Sequence, residues 1–382
     1  MSTSDRISRR RALATGAGVL GAGLLAGVPG AGRAQADTGG DAYWHLRVNL
    51  AGYRAKTARI GDVNFSYREG PANGPALLLL HAQQMDWFSY SRVLPALAAS
   101  FHVFDVDYQG HGTTTTSTDY PMNANRIGAD LASFVESVVG RPAFVTGNSS
   151  GGLLTAWLAA NRPDLVKAAI LEDPPLFASE YPRIMKTIAY RDFASSAKAV
   201  AQDIQDFLLF WISDNEEFIT QNVGDGAAAA LTAAIKTQRL LVPGRPVEIP
   251  LLTDDTIRLF VRGMDYQYDP RFGEAFYDGT WNSGFDHATA LAKISAPTLL
   301  MHANYSWVDG DILYGAMDQN DADKAMTYLP HGTYKRVDAS HVTHLDKPQD
   351  FIDTLTGFFT QARGEATSRQ NRFSAVPVFM VS

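Results

Sequence analysis

Residues 76–80 read A-L-L-L-L, set between the turn residues P-A-N-G-P and a polar loop. A run with no polar position offers water no face, so it predicts a strand buried on both sides. Comparable strand runs occur at 101–107 (F-H-V-F-D-V-D), 142–146, 168–171, 297–302 and 334–338. Helical patterns separate most of them. Residues 123–139 place Ile127, Leu131, Phe134 and Val138 on one helical face, and 150–161 and 349–361 read as further helices. Strands alternating with helices imply right-handed crossovers and a mostly parallel sheet flanked by helices, an α/β fold.

Other segments fit around this core. Residues 57–68 read as a strand pair, and a helix of about a dozen residues is expected to start near Asp86 or Ser89. The stretch 174–290 breaks the rhythm: it holds helical patterns at 197–211 and 226–236 and no clear sheet strand. It reads as a helical cap inserted after the strand that follows 150–161. The core is then expected from 37–173 and 291–362, with 37–55 giving no clear signal and 363–382 an extension of unassigned role.

The first 36 residues are expected to lie outside the fold. A basic start (S-R-R-R-A-L at 8–13), a glycine-rich stretch without charge and then Ala34-Gln35-Ala36 read as a signal peptide with a small-residue cleavage site. The pair Arg9-Arg10 resembles a twin-arginine export signal, which implies an extracytoplasmic enzyme without a lasting membrane anchor. This segment carries five arginines and one aspartate, so its removal takes the formal charge from −7 to about −11. The acidic balance argues against nucleic acid as a partner and suits a small apolar substrate. The chain has no cysteine, which excludes disulfides, thiolate metal sites and a cysteine nucleophile. A homodimer is compatible with the sequence but not specified by it.

Residues 147–151 read G-N-S-S-G, a G-x-S-x-G match that follows a buried strand and opens a helix. That setting is a nucleophile elbow: a sharp turn lifts a serine hydroxyl above the sheet edge, and glycines flank it because side chains there would collide. Ser149 is the candidate nucleophile. No lysine follows the glycines, so the loop is not a phosphate loop. A serine needs a base, and His341 sits on a loop past the last strand, with His344 as its near competitor. The pair H-V-T-H lacks a third histidine or a nearby glutamate, so no metal is expected, nor any cofactor.

The acid that orients the base has more than one candidate. After the 297–302 strand, Ser306 stands where an aspartate would be expected, and Asp309 and Asp311 come late. One strand earlier the chain reads L-E-D-P-P, which offers Glu172 or Asp173; Glu172 is favoured here. The oxyanion is expected to bind the backbone N–H groups of Ser150 and of Gln83, in the loop after 76–80. Trp87, Phe177, Tyr181 and Trp211 are candidate substrate contacts.

The elbow, the oxyanion loop, D-V-D-Y-Q-G-H-G at 105–112 and H-V-T-H-L-D-K-P at 341–348 resemble the α/β-hydrolase superfamily. More narrowly, W-F-S-Y (87–90), G-N-S-S-G-G-L-L (147–154), E-D-P-P-L-F-A-S-E (172–180) and Y-D-P-R-F-G-E-A-F-Y-D-G-T (268–280) resemble bacterial zearalenone lactonases. The similarity covers about 61–181 and 266–360. It implies an α/β-hydrolase fold, the triad acid after the strand that follows the elbow, mapped onto Glu172, and hydrolysis of a resorcylic macrolactone ester. Residues 182–265 share little of it and look longer than that family's cap. Alternatives within the fold are another apolar ester, a carbon–carbon bond hydrolase or a cofactor-free haloperoxidase; outside it stands a binding protein that has lost catalysis.

Overall fold

The computed structural model describes residues 40–374 apart from 251, 253 and 266, and only the backbone of 222 and 365–374. The expected export signal (1–36) and the last eight residues lie outside these. The polypeptide runs α1 (Asp41–Leu50), β1 (Arg54–Ile60), β2 (Val63–Glu69), β3 (Ala76–Leu80), β4 (His102–Asp107), α2 (Ala124–Phe134), β5 (Ala143–Asn148), α3 (Ser150–Asn161) and β6 (Val166–Glu172). Seven helices follow: α4 (Ile188–Ala201), α5 (Phe207–Asp214), α6 (Glu216–Val223), α7 (Ala227–Leu241), α8 (Asp255–Met264), α9 (Arg271–Asp278) and α10 (His287–Lys293). The chain then returns through β7 (Thr298–His302), β8 (Ser306–Val308), β9 (Ile312–Tyr314), α11 (Gln319–Tyr328), β10 (Gly332–Arg336) and α12 (Pro348–Ser374).

Eight strands form one sheet in the order β1-β2-β4-β3-β5-β6-β7-β10. From β4 to β10 every neighbour is parallel; β1 and β2 are antiparallel. The fully buried strands are those whose sequences lack an alternating polar face: β3, β5 and β7 have no exposed residue. The open edges differ. β1 (R-A-K-T-A-R-I) and β10 (G-T-Y-K-R) are largely exposed and carry their cations there. Register aligns Leu80 with Gly147, Asn148 with Glu172, and Glu172 with Met301, so the carboxyl ends of four strands meet along one edge.

Two expectations are corrected, and one stretch without a sequence signal takes shape. Residues 41–50 form a helix; only Trp44 and Val48 of its apolar residues are buried, too few for a clear periodicity. Its place is set by charge instead: Asp41 pairs with Arg258, and His45 Nε2 lies 2.8 Å from Glu248. Past Asp86 there is no dozen-residue helix but a 3-10 turn (Trp87–Arg92) and then a four-residue helical turn (Leu94–Leu97) that holds Pro95 near its start. The pattern at 197–211 belongs to two helices, separated where Asp203 adopts φ 51° and Asp206 caps α5 through the Leu209 N–H. The last helix runs on to Ser374.

Candidate active site

Ser149 sits between β5 and α3 with φ 57° and ψ −120°. Positive φ costs a residue with a Cβ about 1–3 kcal/mol, and here the surroundings enforce it. The flanking glycines show how. A Cβ on Gly147 would run into the Gly151 carbonyl, and one on Gly151 into the Leu80 and His81 carbonyls. Gly151→Ala is therefore expected to cost about 3 kcal/mol from overpacking, read as a lower urea midpoint.

The structure brings His341 to Ser149: both line one pocket. His341 Nδ1 bonds Asp173 Oδ2 at 2.7 Å. The acid at His341 is thus Asp173 and not the favoured Glu172. The reason is local geometry. Glu172 is the last residue of β6, and its fully buried side chain follows the strand's alternation to a different place. There Glu172 accepts the His344 N–H at 2.9 Å and meets His344 Nδ1 at 2.9 Å. The His344 ring stacks on Tyr90 at 3.9 Å. Asp173 lies past the strand end with φ 44°, which turns its carboxyl along the sheet edge. Its Oδ1 accepts the Ala303 N–H at 3.0 Å, so both oxygens are held. In the tautomer that donates Nδ1–H to Asp173, the Nε2 lone pair is left free of that carboxylate.

The acids after His302 play another part. Asp309 and Asp311, around the β8–β9 hairpin, pair with Arg191 and Lys186 of the helical segment. His302 itself bonds Tyr334 Oη at 2.9 Å and the Met317 carbonyl at 3.1 Å.

Among the described residues, the N–H groups of Gln83 and Ser150 have no hydrogen-bond partner, and both residues line the pocket beside Ser149. Two free donors next to a strained serine are the arrangement that an oxyanion hole requires. The turn that carries Gln83 is braced. Gln84 has φ 59°, and its N–H donates to His111 Nε2 at 3.1 Å. Burial holds the His111 pKa well below its usual value, so Nε2 is an acceptor. His81, below the same loop, is pushed by burial to about 4 and is neutral too. Behind Ser150, its Oγ meets Tyr108 Oη at 2.8 Å. Asn148 Nδ2 donates to the carbonyls of Glu172 (3.1 Å) and His341 (2.8 Å), tying the histidine loop to the elbow.

The pocket has about 460 Å³ of empty volume, including the part open to solvent. Its walls are mainly apolar (Pro175, Ala178, Ile184, Phe193, Phe276), and among the described residues His341 is the one titratable side chain lining it. None of the four aromatic candidates lines it. Trp87 packs under the Arg68 guanidinium, and Phe177 lies beneath Lys324. Trp211 is buried with Nε1 on Asp192, while Tyr181 is half exposed and donates to the Tyr277 carbonyl. Phe177, Tyr181 and Trp211 belong to the helical segment and its entry, while Trp87 packs beside His45 and Phe88. Sequence reading also missed His111, Tyr268 and Asp192. The Q-G-H-G stretch held a signal for the first and the Y-D-P-R-F stretch for the second; Asp192 lies in helical sequence with no motif.

A family profile described as alpha/beta hydrolase fold matches residues 75–348. A magnesium-chelatase 30 kDa subunit of Rhodobacter capsulatus is 24% identical over 303 residues, covering 76% of this chain and 90% of that protein. A pimeloyl-[acyl-carrier protein] methyl ester esterase of Nitrosospira multiformis is also 24% identical over 303 residues, covering 78% and 99%. Among solved structures, carboxylesterase CesB from Bacillus subtilis superposes with a TM-score of 0.55 at 17% identity, covering 84% of this chain and 98% of that one.

Proposed function

The chain belongs to the α/β-hydrolase family, and within it we propose that this protein is a cofactor-free serine hydrolase of carboxylic esters. The observation that carries the reading is the His341–Asp173 pair in one pocket with a strained Ser149 and two unpaired N–H donors. Ser149 Oγ attacks the ester carbonyl while His341 Nε2 takes its proton. The carbonyl oxygen becomes an oxyanion between the Gln83 and Ser150 N–H groups, where each donor contributes about 3 kcal/mol. The tetrahedral adduct collapses, His341 protonates the leaving alcohol, and an acyl-Ser149 ester remains. Water, deprotonated by His341, then attacks that ester; the acid leaves and Ser149 regains its proton.

The substrate is an uncharged, apolar ester. Among the described residues the walls offer no lysine or arginine to a carboxylate or phosphate, so an anionic substrate would lose its hydration without compensation. A resorcylic macrolactone of the zearalenone type meets this description, and the likeness of 147–154, 172–180 and 268–280 to such lactonases supports it. In a lactone the alcohol stays tethered, so the product is one ring-opened hydroxy acid. Incubation with zearalenone and with nitrophenyl esters tests this by mass spectrometry. Gain of one water by the lactone is expected; turnover of the simple esters alone would overturn the macrolactone reading while keeping the esterase. The Arg9-Arg10 segment further supports export, checked by cell fractionation.

A further inference from the structure

The turn that presents the Gln83 N–H is gripped by the helical segment between β6 and β7. Gln83 Nε2 donates to Tyr268 Oη at 2.7 Å. Gln84 Nε2 donates to Asp192 Oδ2 on α4 at 3.0 Å. Gly263 on α8 lies so close to the Gln84 carbonyl that a Cβ there would collide with it. Asp192 is the unusual partner. Its buried carboxylate accepts two neutral donors, Gln84 Nε2 and Trp211 Nε1 (2.7 Å), and among the described residues no cation pairs with it. Arg191 and Lys198 on the same helix turn away to Asp309 and Asp214. The titratable group that faces it is the Tyr268 phenol, itself held neutral by burial and by Asp192.

A buried carboxylate without a cation is a cost to the fold. What it does hold is the side chain of Gln84, the residue in the left-handed conformation beside the oxyanion donor. We infer that Asp192 is a positioning residue of the oxyanion hole: through Gln84 it fixes the turn that aims the Gln83 N–H, so the helical cap completes the catalytic machinery as well as roofing the pocket. The inference rests on the proposed ester hydrolysis. Losing one oxyanion donor lowers kcat by about 10²–10³, so loosening one lowers it by about 10–100-fold. The donor acts on the transition state, so KM stays nearly constant.

Burial pushes the Asp192 carboxyl up to about 6, against the hydrogen bonds from Trp211 and Gln84. Because the folded pKa is raised, the stability tied to its proton is full below the ordinary aspartate range and lost as pH rises through about 6. At pH 8 the ionised group burdens the fold, and Asp192→Asn removes that burden.

Wild type and Ser149→Ala are first compared on a nitrophenyl ester; absence of Ser149-dependent turnover refutes the esterase reading and this inference together. Given turnover, Asp192→Asn is expected to lower kcat about 10–100-fold with KM within about twofold. Its melting temperature at pH 8 should equal or exceed that of wild type, and kcat should lose an acidic limb near pH 6. Gln84→Leu is expected to give the same kcat loss, and the double variant no more than either single. An unchanged kcat in Asp192→Asn, a kcat loss matched by a lower melting temperature, or losses that add in the double variant overturns the inference.

Discussion

Ser149→Ala is expected to lower kcat/KM for esters by ~10⁴-fold or more, leaving the unfolding midpoint near that of wild type. The alanine keeps the Cβ, so the backbone strain at φ 57° stays, and only the attacking oxygen is lost. Ser149→Gly is the informative companion. It removes both the oxygen and the strain, so it should be equally inactive yet more stable by about 1 kcal/mol. Inactivity with raised stability says that the strain serves the nucleophile. Residual activity above about 10% of wild type in Ser149→Ala would remove Ser149 from the reaction.

The second large effect separates two adjacent carboxylates. Asp173→Asn is expected to lower kcat by about 10⁴-fold, because an amide in place of the Oδ2 acceptor favours the wrong tautomer of His341. Stability should change little, since the Ala303 N–H keeps an acceptor. Glu172→Ala should behave the opposite way. It strips the buried His344 of its partner, which costs about 3 kcal/mol or more of stability, and it removes no group that contacts substrate. Measured side by side by kinetics and urea unfolding, the two variants assign the roles without a further structure. A larger kcat loss in Glu172→Ala than in Asp173→Asn would restore Glu172 as the acid.

That pair also shows where the sequence stops being legible. The strand β6, the elbow and the histidine loop were readable because each has a local cause: a run without polar residues, glycines where a Cβ cannot fit, a helix behind a loop. Choosing between Glu172 and Asp173 depends on where the strand ends and on a single left-handed residue, which no spacing records. The pocket walls were illegible for a different reason. Aromatic residues in a helical cap fill its core as readily as they face a ligand, and here Trp211 is buried on Asp192 while smaller residues such as Ala178 and Ala189 line the cavity. The bracing of the oxyanion turn joins residues 84, 192 and 211 across more than a hundred positions of chain. Neither motif nor periodicity reports such a contact.

The sheet's two open edges bear on how copies of this protein meet. An uncovered edge strand is a template for a second chain to extend the sheet. Here β1 exposes Arg54, Lys56 and Arg59, and β10 carries Lys335 and Arg336. A chain whose formal charge is −7 has kept like charges at both places where its backbone could pair with a neighbour. Joining two copies edge to edge would set cation against cation along the new ladder, whichever edges met. Among the described residues, this patterning works against self-association by continuing the sheet.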